Sequence, residues 1–255
     1  MLKRKDQGGF LGSLGTLILV ILLLCAAVAS VGGAVYVWIL SRELPTSEEM
    51  ANHRPNLATV VYDRNGKVIT NLYYENRQWV KLEAISPNMV KAVLAAEDAD
   101  FYEHGGIDPT AILRAFIKDV THQATRQGGS TITQQLARNL FLTRERTLVR
   151  KVKEAILSVR MERTYSKDQI LEMYLNTIYF GHGTYGIGAA SQAYFGKTAS
   201  QLNLPEASVL AGLIAAPEYY TPIRHMDRAK VRQGYVLGQM VSKGWISREE
   251  AQKAL

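Results

Sequence analysis

The chain has 255 residues, of which 47% are hydrophobic and 21% charged, with 30 basic against 23 acidic side chains. That length allows one large domain or two small ones with an ample core. A single cysteine excludes a disulfide framework, a cysteine-ligated metal site and a Cys-x-x-Cys redox centre.

Residues 1–9 read as a short tail carrying Lys3, Arg4 and Lys5. From Phe10 to Leu40 no side chain is charged, and Leu, Val, Ile and Ala dominate. This run exceeds the ~20 residues that cross a bilayer. It is also longer than the ~7–15 residue apolar core of a cleaved signal peptide. We therefore expect a retained transmembrane anchor over 10–40, with Cys25 inside it. The positive residues before it place the N-terminus in the cytoplasm and everything after Ser41 on the far side. Without residues 1–41, which include Lys3, Arg4, Lys5 and Asp6, the remainder has 27 basic and 22 acidic side chains. Such a modest surplus suits a domain near anionic lipid or one gripping an anionic substrate, and an extracytoplasmic location excludes nucleic acid.

Residues 41–57 turn polar and contain Pro45 and Pro55, the composition of a juxtamembrane linker, so the folded domain is expected over 58–255. Thr59 to Ile69 predicts a β-hairpin, because Asn65-Gly66 accepts the positive φ angles of a type I′ turn. Helices dominate beyond Ile85. Ser86-Pro87 predicts an N-cap and first helical turn for Asn88 to Glu97, and Asp108-Pro109 does the same for a helix to about Val120. Thr131 with Gln134, and Ser166 with Gln169, have capping-box spacing. The helix from Ser166 runs to Asn176. A Gly-rich passage, Phe180 to Gly188, precedes a helix from Ala189 to Phe195. Further helices are predicted over Leu204–Ala215, Asp227–Lys243 and Ser247–Leu255. The last has no stop signal, so the chain is expected to be the front part of a longer protein.

Two segments carry candidate chemistry. Gly128-Gly129-Ser130-Thr131 opens onto a helix whose first N–H groups and positive dipole end suit an anion. The same glycines also read as ordinary turn chemistry. A helix from about Leu148 to Thr164 follows. Its apolar stripe is Leu148, Val152, Ala155, Ile156 and Val159, with Arg150 and Glu154 on the opposite side and Lys151 on its flank. One reading is a solvated face with an i,i+4 ion pair; the other is a cationic site with a carboxylate. Upstream, Glu97-Asp98 ends a helix, where a carboxylate opposes the dipole, and such unfavourable local choices gather at working sites. His104, beside Gly105-Gly106, reads as a loop-packing histidine or a catalyst. No second histidine stands at metal-ligand spacing, so no metal site is assigned.

Five blocks in order resemble the peptidoglycan glycosyltransferase family, the N-terminal domains of class A penicillin-binding proteins and the monofunctional transglycosylases. They are Glu97 to Phe101 with His104-Gly105-Gly106; Gly128 to Leu142; Arg150 to Glu154; Leu171-Glu172-Met173-Tyr174-Leu175-Asn176 through Gly188; and Pro205-Glu206-Ala207 to Ala216-Pro217. The likeness runs from about Asn71 to the end of the chain. It implies a mainly α (α+β, lysozyme-like) domain with a short N-terminal hairpin, which polymerises lipid II at the outer face of the cytoplasmic membrane. Carried over by position, Glu97 resembles the principal catalytic carboxylate and Glu154 the second. Ser130, Gln135, Arg138, Arg146, Arg150 and Lys151 fall where the family binds sugar and diphosphate. Arg138 departs from the lysine usual there, exchanging a point charge for a planar fork. The resemblance implies lipid II, the growing glycan, membrane lipid and cell-wall synthesis proteins as partners. A divalent cation, Mg or Mn, at the diphosphate is left open, as are two other functions: a membrane-anchored muramidase and a non-catalytic cell-wall scaffold. No Ser-x-x-Lys or Lys-Thr-Gly motif of a penicillin-binding half occurs in these residues.

Overall fold

The computed structural model describes residues 8–51, 59–62, 64, 68–72, 79–113, 129–143, 145 and 147–255. It divides into two units, one ending at Leu44 and the other running from Pro45 to Leu255.

The first unit is one helix, α1 (Gly8–Arg42). Within it Leu19–Arg42, 24 residues of mean hydropathy 2.4, is long and apolar enough to cross a membrane. None of its apolar window is buried by protein. The Arg42 guanidinium sits 4.2 Å from the Trp38 ring. An amphipathic aromatic beside a cation is the composition of a membrane-interface collar.

The second unit begins with α2 (Ser47–Ala51) and the strands β1 (Thr59–Tyr62) and β2 (Val68–Leu72). These strands pair antiparallel from Thr59↔Leu72 to Val61↔Thr70, then shift register to Tyr62↔Val68. The hairpin is thus present, while its Asn65-Gly66 turn lies outside the described residues. The remaining elements are α3 (Pro87–Glu97), α4 (residues 109–113), α5 (Ile132–Phe141), α6 (Leu148–Thr164) and α7 (Lys167–Thr177). A small hairpin, β3 (Tyr179–Gly181) with β4 (Thr184–Tyr185), leads to α8 (Ile187–Phe195), α9 (Leu204–Leu213), α10 (Pro217–Tyr220), α11 (Met226–Ser242) and α12 (Arg248–Ala254). Among the described residues the domain is mainly α with two short two-stranded sheets.

The helices pack as two groups. Helices α3, α9 and α11 lie against one another, and α5 packs on both α6 and α7. Met89, Ala92, Val93, Leu210, Ala211, Val236 and Met240 fill the first group; Ile132, Leu136, Leu157, Met161, Ile170 and Leu171 fill the second. Each fully buried Leu, Ile or Met contributes roughly 1.5–3 kcal/mol. The C-terminal end of α3 and the N-terminal end of α5 meet where the groups join.

Local sequence explains several joints. The capping boxes at Thr131–Gln134 and Ser166–Gln169 form as expected, and others occur at Thr198–Gln201, Asn203–Glu206 and Ser247–Glu250. Ser86 stands at the N-cap of α3, but its hydroxyl does not cap; it donates to the Leu202 carbonyl at 2.6 Å, tying α3 to the turn before α9. The linker expected over 41–57 contains α2, which lies against α6. Arg160 donates to the Pro45 carbonyl at 2.8 Å and the Tyr165 hydroxyl to that of Met50 at 2.6 Å. The Gly-rich passage, left without structure by the sequence pattern, makes the β3–β4 turn. Gly186 has φ +81°, and a Cβ there would stand 2.6 Å from the Asn176 carbonyl.

One expectation is reversed. Helix α6 occupies the predicted residues, but it does not bury the predicted stripe: Leu148 is 87% exposed, whereas Glu154 is 0% exposed. The buried face is Glu154, Leu157, Ser158 and Met161. Apolar periodicity points the wrong way because α6 buries a charge that carries its own counter-ions, while α2 lies against the helix from another side. The solvated-face reading of Glu154 is excluded.

Candidate active site

A cleft of about 430 Å³ opens where the two helical groups join. Its walls include Glu97 at the end of α3 with Asp98 and Asp100 after it; Gly129, Ser130, Thr131, Gln135 and Arg138 before and on α5; Ile214 and Ala215 after α9; and Arg232, Tyr235 and Gln239 from α11 with Lys243 just past its end.

Glu97 ends α3, and its side chain is 12% exposed. Its Oε2 accepts from Gln135 Nε2 at 2.9 Å, and Arg232 NH2 lies 4.0 Å from Oε1. The buried Tyr174 hydroxyl donates to Gln135 Oε1 at 3.2 Å. That bond sets the orientation of the amide, so its NH₂ faces the carboxylate. Burial raises the Glu97 carboxyl above the ordinary glutamate range; the Gln135 bond and the charges of Arg232 and Arg138 oppose the rise, while Asp98 adds to it.

Asp98, next in the chain, is occupied structurally. Its Oδ2 accepts the Ile132 N–H at 2.9 Å, and both oxygens face His104 Nε2 at 3.0 and 3.1 Å. Gly106 N–H donates to His104 Nδ1 at 3.2 Å, which leaves Nε2 as the donor toward Asp98. His104 therefore packs the loop between α3 and α5. Gly106 has φ +88°, and a Cβ there would meet the Ser158 carbonyl at 2.8 Å, so the second glycine of the pair lets this loop press on α6.

The N-terminus of α5 differs from its sequence reading. Its Ile132 N–H is taken by Asp98, and the Gln134 N–H by Thr131 Oγ1 at 3.1 Å. These groups are not free for an outside anion, because the protein supplies its own carboxylate there. Positive charge comes instead from side chains. Lys151 Nζ donates to Ser130 Oγ at 2.7 Å and to Glu154 Oε2 at 2.9 Å, and Arg150 pairs with Glu154 Oε1. Glu154 thus stands behind the wall with both oxygens committed to cations, the condition under which a buried carboxylate is tolerated. Burial and the neighbouring Arg138 and Arg150 lower the Lys151 ammonium to about 8. The Glu154 carboxylate at 2.9 Å acts in the opposite sense.

Of the sequence-expected residues, Glu97, Ser130, Gln135 and Arg138 line this one cleft. Lys151, Arg150 and Glu154 form a chain of contacts behind Ser130. Arg146, like Gly128, lies outside the described residues. Sequence reasoning missed Arg232, Tyr235, Gln239 and Lys243. Their 3-4-4 spacing makes one polar stripe along α11, a signal that was legible without the structure. It also missed what the Leu171–Asn176 block does. Besides Tyr174, Glu172 accepts from Trp79 Nε1 at 2.9 Å and from the Leu82 N–H at 2.8 Å, while Asn176 pairs with both backbone groups of Val80. No group of three or more His, Cys, Asp or Glu suited to a metal occurs among the described residues.

Comparison with known proteins places the chain by its sequence. The family model described as Transglycosylase matches residues 65–241. The chain is 45% identical over 227 residues to penicillin-binding protein 1A of Aquifex aeolicus (strain VF5), covering 88% of this chain and 31% of that protein. It is 46% identical over 208 residues to penicillin-binding protein 1A of Escherichia coli (strain K12), with coverage of 82% and 24%. Penicillin-binding protein 1F of Bacillus subtilis (strain 168) is 42% identical over 232 residues, with coverage of 91% and 32%. The chain thus spans about a quarter to a third of the length of these relatives. Among solved structures, penicillin-binding protein 1A from Haemophilus influenzae matches 79% of this chain and 21% of its own, with a TM-score of 0.46 and 26% identity.

Proposed function

The chain belongs to the transglycosylase family, and on that premise we propose that it is a peptidoglycan glycosyltransferase polymerising lipid II into β-1,4 glycan. The observation that carries the reading is one cleft holding a buried carboxylate, Glu97, beside Arg138 and the Ser130–Lys151–Glu154–Arg150 chain of contacts. A lysozyme-like arrangement of the helices, with the anchor's N-terminus in the cytoplasm and the second unit outside, belongs to the same reading.

Glu97 Oε1 takes the proton from the 4-hydroxyl of the acceptor GlcNAc as that oxygen attacks C1 of the donor MurNAc. The C1–O bond to the diphosphate breaks on the opposite face, inverting α to β. Polyprenyl diphosphate leaves with the electron pair. A positioned base of this kind contributes typically ~10²–10⁴ in rate. The leaving group is a stable anion, so it needs cations rather than a proton, and Arg138 and Lys151 supply them. Glu154 touches neither sugar; it holds Lys151 against Ser130 and keeps Arg150 in place. The described residues hold no group of three or more His, Cys, Asp or Glu suited to a divalent cation.

A muramidase is the rival, since burial also favours the protonated acid that glycoside hydrolysis requires. The cationic wall favours transfer, because an alkoxide leaving group makes no use of it. Incubation of the purified chain with labelled lipid II separates the two. Long glycan with release of polyprenyl diphosphate is expected. Reducing ends cleaved from finished glycan, with no polymer from lipid II, would establish the muramidase instead.

A further inference from the structure

Arg232 stands at the Glu97 end of the cleft in a close-fitting setting. It comes from α11, is 16% exposed, and reaches to 4.0 Å from Glu97 Oε1. Its guanidinium lies 4.3 Å from the centre of the Tyr235 ring and 5.7 Å from that of Tyr220. On another side Gly212 of α9 admits its stem: a Cβ there would stand 3.0 Å from Arg232 Cγ. The buried Nε has no hydrogen-bond partner among the described residues. An arginine that leaves a donor unpaired, yet is enclosed by two rings and a glycine, is fixed in place by packing rather than by its hydrogen bonds.

We propose that Arg232 is a positioning residue for the transfer reaction, a fixed positive charge that keeps the Glu97 carboxylate ionised and turned toward the acceptor hydroxyl. The inference rests on the glycosyltransferase reading of the cleft. The two Glu97 oxygens are treated differently: Oε2 is tied by Gln135 at 2.9 Å, whereas Oε1 faces Arg232 at a distance too long for a hydrogen bond. Coulombic attraction at this separation still favours the anion, yet it leaves the Oε1 lone pairs free to accept a proton. The other groups acting on Glu97 do not replace it. Arg138 acts from α5, Asp98 adjoins in the chain with the opposite effect, and Tyr174 of α7 and Tyr235 of α11 are ring hydroxyls. Lys243 is paired with Asp100 at 2.5 Å. Among the described residues, removing Arg232 leaves burial opposed by Gln135 and Arg138.

The test reads ionisation separately from catalysis. In detergent, the full chain labelled with carboxyl-¹³C glutamate is titrated by NMR, and the Glu97 signal is identified by its loss in Glu97→Gln. In Arg232→Met, which keeps the stem and removes the charge, the Glu97 midpoint is expected to move to higher pH. Arg232→Lys should stay close to the wild type. Gly212→Ala, which pushes the stem without touching the charge, should move the midpoint the same way by less, and it carries the test if Arg232→Met fails to fold. Unmoved midpoints in both Arg232→Met and Gly212→Ala overturn the proposal. The second readout is the pH profile of polymerisation. Arg232→Met should lose about tenfold more activity at about pH 6 than at about pH 8, with Arg232→Lys restoring the profile. A uniform loss across pH overturns the positioning role. Polymer from the wild type alongside an unmoved Glu97 titration sinks this inference alone. A moved titration in a wild type that makes no polymer sinks the functional reading alone.

Discussion

Glu154→Gln tests the reversal of α6 most sharply, because the two readings of that face differ several-fold in energy. An exposed i,i+4 pair contributes about 0.3–0.5 kcal/mol. Here the carboxylate is 0% exposed, Arg150 18% and Lys151 43%. The amide removes the carboxylate that both cations share among the described residues and leaves them competing for one carbonyl oxygen. Loss of one partner from a fully buried pair costs about 3–5 kcal/mol; the partial exposure of Lys151 lets water take over some of that, so about 2–4 kcal/mol is expected. Urea unfolding of the full chain in detergent, followed by the fluorescence of Trp79 and Trp245, measures it. The midpoint should fall with an unchanged slope. A loss below about 0.5 kcal/mol would mean that Glu154 is solvated, and the charge chain behind Ser130 would have no structural basis.

Lys151 is expected to set the alkaline side of the pH profile. Its ammonium is charged below about 8 and neutral above, so donor affinity should decline as pH rises through that value. In Lys151→Arg the decline should be absent, and an identical alkaline limb would remove Lys151 from diphosphate binding. Tyr174→Phe deletes the donor that orients Gln135, a change of about 1 kcal/mol. It should lower the polymerisation rate severalfold with little change in donor affinity; an unchanged rate would show that the amide needs no such guide. A reporter fused after Leu255 should be active only outside the cytoplasm. Activity inside would overturn the orientation and with it access to the substrate.

The parts legible in the sequence were those governed by neighbours in the chain. Thr131–Gln134 and Ser166–Gln169 specify helix starts through contacts three residues long, and the bounds of α6 followed from its periodicity. Which way a helix faces is a different kind of fact. Leu148, Val152, Ala155, Ile156 and Val159 form a regular stripe, yet α6 turns Glu154 inward because Arg150 and Lys151 travel with it on the same helix. Hydropathy assigns each of those charges to solvent separately and has no term for a buried carboxylate compensated by cations on its own helix. Free N–H groups at the start of α5 were misread for a similar reason: the anion that occupies Ile132 comes from Asp98, 34 positions away. Arg232 lies further still from Glu97 along the chain, and only the packing of α3, α9 and α11 brings it to the cleft. The motif blocks named residues that line one cleft; the partners around them came from tertiary contacts.

The central claim is that Glu97 is the base of a polymerising transfer. Its most direct test is the initial rate of glycan formation from lipid II by Glu97→Gln against the wild type, with folding checked by urea unfolding. The change keeps the side chain's shape and removes the basic oxygen. A rate reduced by about 10²–10⁴ with stability retained is expected, and retention of more than about a tenth of the wild-type rate would contradict the account.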